Sequence, residues 1–412
     1  MPKHVLHCDL NNFYASVAVL LDPSLAGKPV AVCGDPKKRH GIVLAKSMPA
    51  KLKGVQTGEA IWQAQKKCPD LVLVAPQYDK YVYYSKKVRE IYARYTDRIE
   101  SFGIDECWLD VTGSTRLFGS PEKIAYEIKE AVKNEIGLTI SVGVSFTKVF
   151  AKLGSDMKKP DAVTVISPEN FKEKIWKLPA SEMLYVGRRV AEKLALLNIH
   201  TIGELANADR SLLRAHFGIV GDKMAGSANG SGDEEVKRAD EVRVPKSVGH
   251  GTTASRDVKN ISEAKAIVFA LSEMVATRLR KYGLDAGCVS VGIRQANMQS
   301  FTRQCTLPVP THDSGEIAKA ALKIIEANYN FKIPARTISV YTSKLSPIGE
   351  SMQITLFDDE KADEKRDNLL KTIDDIREKY GYNTVKKAIL LSGDDIAGNL
   401  HEDDDFLPFK KD

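Results

Sequence analysis

The stretches VLHCDLNNFYASV (Val5–Val17) and SFGIDECWLDVTG (Ser101–Gly113) decide how this chain is read. His4 to Asp9 is a short apolar run, predicted as a strand that brings a carboxylate to its C-terminal end. Ile99 to Val111 reads as two short strands folded about the adjacent acids Asp105 and Glu106. Neighbouring side chains of a strand point to opposite faces, so adjacent acids converge only where the chain turns. Gly103, just before the pair, suits such a turn. Three carboxylates on two neighbouring strands match a site for two Mg²⁺ ions ~3.5–4 Å apart, as used for in-line phosphoryl chemistry. Taken singly, the same acids suit a turn cap at Asp9 and an exposed hairpin tip at Asp105 and Glu106 equally well.

With 412 residues the chain exceeds one ordinary domain, and roughly two to four are expected. Its 43% hydrophobic content is enough for real cores. No apolar run is long enough to span a bilayer, and MPKHVLHCDL lacks a signal peptide's layout. Cys8, Cys33, Cys68, Cys107, Cys288 and Cys305 are scattered without C-x-x-C spacing, which predicts reduced thiols in a cytoplasmic protein with no zinc ribbon. The net charge of +6 hides a gradient: Leu391 to Asp412 carries −5, whereas Pro245 to Glu350 carries +6. A basic region beside an acidic tail suits a nucleic-acid partner, and ordinary surface charge has the same composition.

Helices are predicted over Phe13–Leu21, Tyr78–Tyr95, Glu122–Glu135 and Lys148–Ser155, with strands at Pro29–Gly34 and Leu138–Val144. Distant acids meeting on mixed strands and helices indicate an α+β domain with an insertion from about Leu10 to Ala75. Leu184–Ala206 and His216–Gly230 read as two helix-hairpin-helix units, which offer backbone amides to phosphate without reading bases. Tyr185 stands where the first glycine of the usual Gly-x-Gly turn belongs, so a turn used only for packing stays open there. Asn229–Pro245 reads as a linker. Beyond it the order is βαββαβ: strands Ser247–Arg256, Cys288–Gln295, Ser300–Leu307 and Arg336–Lys344, helices Ser262–Tyr282 and Glu316–Tyr329. Val289, Val291 and Ile293 are expected to face the helices, with Arg256, Arg294, Arg303 and Lys344 on a phosphate-contacting face. Asn368–Leu391 has helical apolar spacing without an assignable role.

Phe13 and Tyr14 follow Asp9, and GVSFTKVFAKLGSDMKKPDAVTVI runs from Gly143 to Ile166. With these motifs, in this order, the sequence resembles the Y-family lesion-bypass DNA polymerases of the DinB/UmuC type, from His4 to about Leu345 and again in Gln353–Phe357. The resemblance implies an α+β multidomain right-hand fold. Its parts are a palm (1–10 and 76–166), fingers (11–75), a helix-hairpin-helix thumb (167–232), a linker (233–246), a βαββαβ little finger (247–347) and a tail (348–412). The implied function is template-directed, error-prone translesion synthesis without proofreading, by two-metal transfer of a dNTP to a primer 3′-hydroxyl.

By the same resemblance, Asp9 and Asp105 bridge two Mg²⁺ ions (Mn²⁺ as a substitute), the Leu10 carbonyl adds a ligand, and Glu106 holds the ion near the 3′-hydroxyl. Tyr14 matches the steric gate that excludes a 2′-hydroxyl. Lys159 and the amides of Asn12, Phe13 and Tyr14 match triphosphate contacts. Met48 and Lys51 stand where the family commonly has a tyrosine and an arginine, and Gly103 replaces a common serine. These exchanges remove a hydroxyl donor and a bidentate cation. Gly187 is implied as a DNA contact beside the four basic residues of the sheet, and Gln353, Leu356 and Phe357 as the anchors of a bacterial sliding-clamp peptide. A monomeric, nucleoid-associated core is expected, with primer-template DNA and dNTP as partners. A nucleotide cyclase shares the acids but has no use for tandem hairpins, a basic sheet and a clamp peptide. A non-catalytic DNA-binding scaffold has no use for intact acids.

Overall fold

The computed structural model describes residues 3–35, 41–232, 235–241, 244–350 and 360–390. The chain divides into two compact units, the first made of Met1–Gly34 and Ile42–Glu241, the second chiefly of Val242–Asp412. Among the described residues no helix is long and apolar enough to cross a membrane.

The first unit opens with β1 (Val5–Leu10), α1 (Phe13–Leu21), β2 (Val30–Cys33), β3 (Val43–Lys46), α2 (Met48–Leu52), α3 (Ile61–Lys67) and β4 (Val72–Val74). It continues through α4 (Tyr78–Tyr92), β5 (Ile99–Ser101), β6 (Glu106–Asp110), α5 (Thr115–Phe118), α6 (Pro121–Ile136), β7 (Ile140–Ser145), α7 (Lys148–Met157) and β8 (Val163–Val165). A five-stranded sheet has the order β5-β6-β1-β7-β8, and a three-stranded sheet the order β3-β2-β4. β1 is central and buried on both faces, which is why it reads as an apolar run. Leu6, Cys8 and Leu10 join a core with Tyr92, Ile124 and Ile128 from α4 and α6. The alternate residues, Val5, His7 and Asp9, point to the face that α7 covers, where Val5 packs with Trp108 and Ala151. α6 starts at Ser120, whose hydroxyl caps the Lys123 amide ahead of Pro121, and stops at Gly137 in the left-handed region.

A helical region follows: α8 (Phe171–Ile175), α9 (Arg188–Leu196), α10 (Ile202–Asn207), α11 (Arg210–Phe217) and α12 (Ile219–Ala228). Tyr185 adopts φ +72°, the conformation glycine normally supplies, so the turn before α9 keeps its left-handed step despite the bulky residue. Gly218, at φ +62°, does the same before α12.

The second unit runs β9 (Ser247–Val258), α13 (Ile261–Tyr282), β10 (Leu284–Gln295), β11 (Ser300–Thr311), α14 (Ser314–Asn328), β12 (Ala335–Pro347) and α15 (Glu360–Tyr380). Its sheet has the order β11-β10-β12-β9, with Val289, Val291 and Ile293 buried in one core with Leu271, Val275, Ile317 and Ile325 of α13 and α14. The expected shared basic face needs correction. Arg303 pairs with Val291 in the ladder and therefore sits on the helix-bearing side. Arg256 also turns to that side, between the core residues Ala254 and Val258, and pairs with Glu263 of α13 at 2.9 Å. Arg294 is exposed on the open face, where Lys344 bonds Thr306 at 3.2 Å. The helix expected at Asn368–Leu391 begins earlier and ends at Tyr380, since Gly381 at φ +93° breaks it. It lies against α13 largely through charge: Asp374 with Arg280 at 2.6 Å and Arg377 with the buried Glu273 at 3.1 Å.

One contact sets where α7 lies. A Cβ on Gly143 would stand 1.9 Å from the Ala151 carbonyl oxygen, so only glycine lets α7 sit this close to β7. Gly143→Ala is therefore expected to lift α7 and cost at least about 1–3 kcal/mol of stability. Urea unfolding checks this, and a wild-type midpoint would mean α7 is not seated on the strand.

Candidate active site

The Leu10 N–H donates to the Asp105 carbonyl and the Val111 N–H to the His4 carbonyl, each at 3.0 Å. Those bonds fix the alternation of the β1/β6 ladder, in which Asp9 lies opposite Glu106. The pair occupies a non-hydrogen-bonded position, where side chains approach more closely. Asp105 sits in the turn just ahead of β6, after Gly103 at φ +125°, a backbone state closed to most L-residues. Ser85 donates to the Ile104 carbonyl and accepts from Arg89 at 2.9 Å, tying that turn to α4. All three acids thus line one cavity of about 280 Å³, together with Leu10, Asn12, Phe13, Lys46, Lys152 and Lys159.

Ammonium groups already answer the negative charge. Lys152 Nζ lies 3.0 Å from Asp9, 2.9 Å from Glu106 and 3.2 Å from Asp156. Lys159 Nζ lies 2.7 Å from Asp9 and 2.9 Å from Asp156. Burial works against the charge on Lys152, but Asp9 and Glu106 outweigh it and raise its pKa. Burial likewise opposes ionisation of Glu106, yet the Lys152 ammonium at 2.9 Å leaves this carboxyl below the usual range. Asp105 has no such partner: burial, then repulsion from Glu106 and Asp9, pushes it up to about 6. Glu106 Oε2 is buried without an aligned hydrogen bond. A crowded carboxylate set with one raised pKa and an unsatisfied buried oxygen fits a divalent cation.

Tyr14 is stacked on Tyr81 at 4.0 Å and 7°, with Phe13 and Tyr78 around it, so its ring is held from several sides. Burial pushes its hydroxyl up to about 12. Asn12, left-handed at φ 50°, opens α1 and places its first amides beside the cavity. Met48 instead lines a separate cavity of about 480 Å³, and Lys51 is exposed. Gly187 is the N-cap of α9. Gln353, Leu356 and Phe357 lie outside the described residues.

Sequence reasoning missed His7, Lys46, Lys152 and Asp156. Strand alternation carries the signal for His7, two residues before Asp9, and i,i+4 spacing that for Lys152 and Asp156. Lys46, two residues before Met48, lines the cavity, and its Nζ donates to Thr57 at 3.0 Å.

Residues 8–156 match the impB/mucB/samB family, and residues 245–356 match the C-terminal domain of that family. The chain is 46% identical to the DNA polymerase IV of Acetivibrio thermocellus, covering 95% of this chain and 98% of the relative. It is 36% identical to that of Clostridium kluyveri (95% and 99%) and 35% identical to DNA polymerase IV 1 of Bacillus subtilis (94% and 93%). The solved Y-family DNA polymerase chimera Dbh-Dpo4(243-245)-Dbh superposes with a TM-score of 0.73 at 21% identity, over 83% of this chain and 98% of that one. The chain belongs to the Y family of DNA polymerases, the impB/mucB/samB family. Its fold is the family's α+β multidomain architecture, and members of that family generally use divalent metal ions.

The raised Asp105 pKa has a consequence for stability. The folded state holds a proton between the ordinary value of 3.8 and about 6, so stability in metal-free buffer falls as pH rises through that window. Asp105→Asn removes this penalty. At pH 7.5 without divalent cations the variant is expected to be more stable by roughly 1–3 kcal/mol, with the gain vanishing near pH 3.5. Chemical denaturation at both pH values checks it; equal stability at pH 7.5 contradicts the assignment.

Proposed function

We propose that this chain is a DNA-directed DNA polymerase for translesion synthesis, error-prone and without proofreading, which transfers a dNTP to the 3′-hydroxyl of a primer. The single observation that carries the reading is that Asp9, Asp105 and Glu106 converge on one cavity whose rim also holds Lys46, Lys152 and Lys159. In this reading residues 1–10 and 76–166 are palm, 11–75 fingers, 167–232 thumb and 247–347 little finger, with 233–246 as linker.

Asp9, Asp105, Glu106 and the Leu10 carbonyl would hold two Mg²⁺ ions, with Mn²⁺ accepted in their place. When bound, the pair supplies Lewis acidity that favours ionisation of the 3′-hydroxyl and neutralises charge on the leaving pyrophosphate. Lys159, now within 2.7 Å of Asp9, is placed to turn its ammonium to triphosphate oxygens. The amides at the start of α1 add donors there. Tyr14, fixed by its stack on Tyr81, closes the space under the sugar, so a 2′-hydroxyl is refused by bulk. The turns before α9 and α12 offer amides to the DNA backbone, and in the second unit Arg294 and Lys344 offer cations on the open sheet face. Gln353, Leu356 and Phe357 would tether the enzyme to a bacterial sliding clamp.

Glu106→Ala is expected to lower primer extension at least ~10³-fold while primer-template affinity stays within about twofold, because most binding energy comes from phosphate contacts elsewhere. Extension near the wild-type rate at saturating Mg²⁺ and dNTP sinks the metal assignment. Tyr14→Ala should reduce the dNTP-over-rNTP ratio of kcat/KM by at least about tenfold. An unchanged ratio in folded protein places the gate elsewhere.

A further inference from the structure

His7 takes no part in the mechanism above, yet its ring is fully enclosed beneath the acids. It is 0% exposed, and alternation along β1 puts it on the same face as Asp9. Its Nδ1 lies 2.9 Å from Ser155 Oγ, and its ring meets Trp108 edge-on at 5.3 Å. Ser155 Oγ itself donates to the Lys152 carbonyl at 2.8 Å. A hydroxyl has one proton, so Ser155 accepts from His7, and Nδ1 is the protonated nitrogen.

That bond leaves Nε2 with a lone pair, and the lone pair is aimed at Glu106 Oε2, 3.2 Å away. An imidazolium there would donate along the Nε2–Oε2 line, but neither atom has an aligned hydrogen bond. Oε2 meets the Lys152 ammonium at 2.9 Å, an ammonium shared with Asp9 at 3.0 Å, so a cation already answers the acids while Nε2 is left without a hydrogen-bond partner among the described residues. His7, Asp9 and Glu106 each offer a ligand atom, all within 4.8 Å of one another. Ser155 then acts as the outer partner that fixes the ring's tautomer and orientation.

We propose that His7 Nε2 is a nitrogen ligand for a cation shared with Asp9 and Glu106, creating a mixed N/O site that favours first-row transition dications such as Mn²⁺ over Mg²⁺. The proposal rests on the metal reading of Asp9 and Glu106. Mg²⁺ is an oxygen-seeking ion, so an imidazole adds little to its affinity, whereas first-row dications accept nitrogen.

The test uses the full chain with Mn²⁺ as the probe, read by pulsed electron paramagnetic resonance rather than by synthesis. Wild-type protein should show nitrogen modulation of the Mn²⁺ echo, shifted to the ¹⁵N frequency when histidine alone is ¹⁵N-labelled. This arm needs no variant. In His7→Gln the modulation should vanish and the Mn²⁺ Kd rise about tenfold or more, while the Mg²⁺ Kd from competition changes less than about threefold. Mn²⁺ binding that weakens in Glu106→Gln, yet shows no histidine nitrogen in the wild type, overturns the role of His7 alone. Nitrogen modulation that persists in folded His7→Gln does the same. Mn²⁺ binding unaffected by Glu106→Gln overturns both this proposal and the metal reading beneath it.

Discussion

Repulsion among Asp9, Asp105 and Glu106 is the constraint around which the first unit is arranged. Two like charges about 4 Å apart interact by about 4 kcal/mol at the effective dielectric of a protein. The ladder nevertheless places Asp9 directly opposite Glu106, with Asp105 on the adjoining turn. Such a cluster persists only with cations close by. Lys152 provides one by touching Asp9 and Glu106 together, and it can do so because α7 lies flat on β7. Gly143 permits that approach, so a missing side chain on one strand underlies the electrostatics on its neighbour. Asp105, without an ion pair among the described residues, has its pKa raised first by burial and then by repulsion from Glu106 and Asp9.

Local signals carried much of this into the sequence. The apolar run ending at Asp9, Gly103 ahead of an acidic pair, and the helical spacing of Phe13–Leu21 depend on near neighbours, and they are legible for that reason. For His7 and Lys152 local spacing gives only the face they share, and their roles depend on partners far along the chain: Ser155 for His7, and Asp9 for Lys152. The basic sheet failed differently. Alternation along β10 was read correctly, but Arg303 lies opposite Val291 in the ladder and Arg256 alternates with Ala254 and Val258, so both fall on the helix side. α15 shows a third kind of limit. Its helical spacing carried no role in the sequence, and Asp374 and Arg377 dock it through ion pairs with Arg280 and Glu273.

Backbone shape and residue identity also separate in the turns. Tyr185 departs from the glycine pattern of a phosphate-binding hairpin, yet it takes the left-handed conformation such a turn requires. A non-glycine residue there costs about 1–2 kcal/mol, which the surrounding packing of Val186 and Leu194 must offset. Around the acidic cavity the identities change as well. Met48 and Lys51 lack the hydroxyl and the guanidinium fork common in the family, and neither lines the acidic cavity. Lys46 does line it, with a pKa lowered first by burial and then by Lys51. The positive charge facing the cavity from this side therefore comes from β3 rather than from α2.

Lys152 and Lys159 occupy positions that divalent ions would contest, since both contact Asp9. Ammonium groups expelled from a half-buried cavity would ordinarily have to find solvent. Asp156 offers them a nearer partner. It contacts Lys152 across one helical turn and Lys159 three residues on, and it takes no part in the Asp9–Glu106 ladder. If cations arrive at Asp9 and Glu106, Lys152 loses two carboxylates and Lys159 one, but both keep Asp156, and their ammonium groups stay at the cavity rim. An incoming anion would then meet ammonium groups held by the single, partly exposed Asp156 rather than by Asp9 as well. That is the weaker hold, and it favours transfer of the lysines to phosphate when a nucleotide is bound.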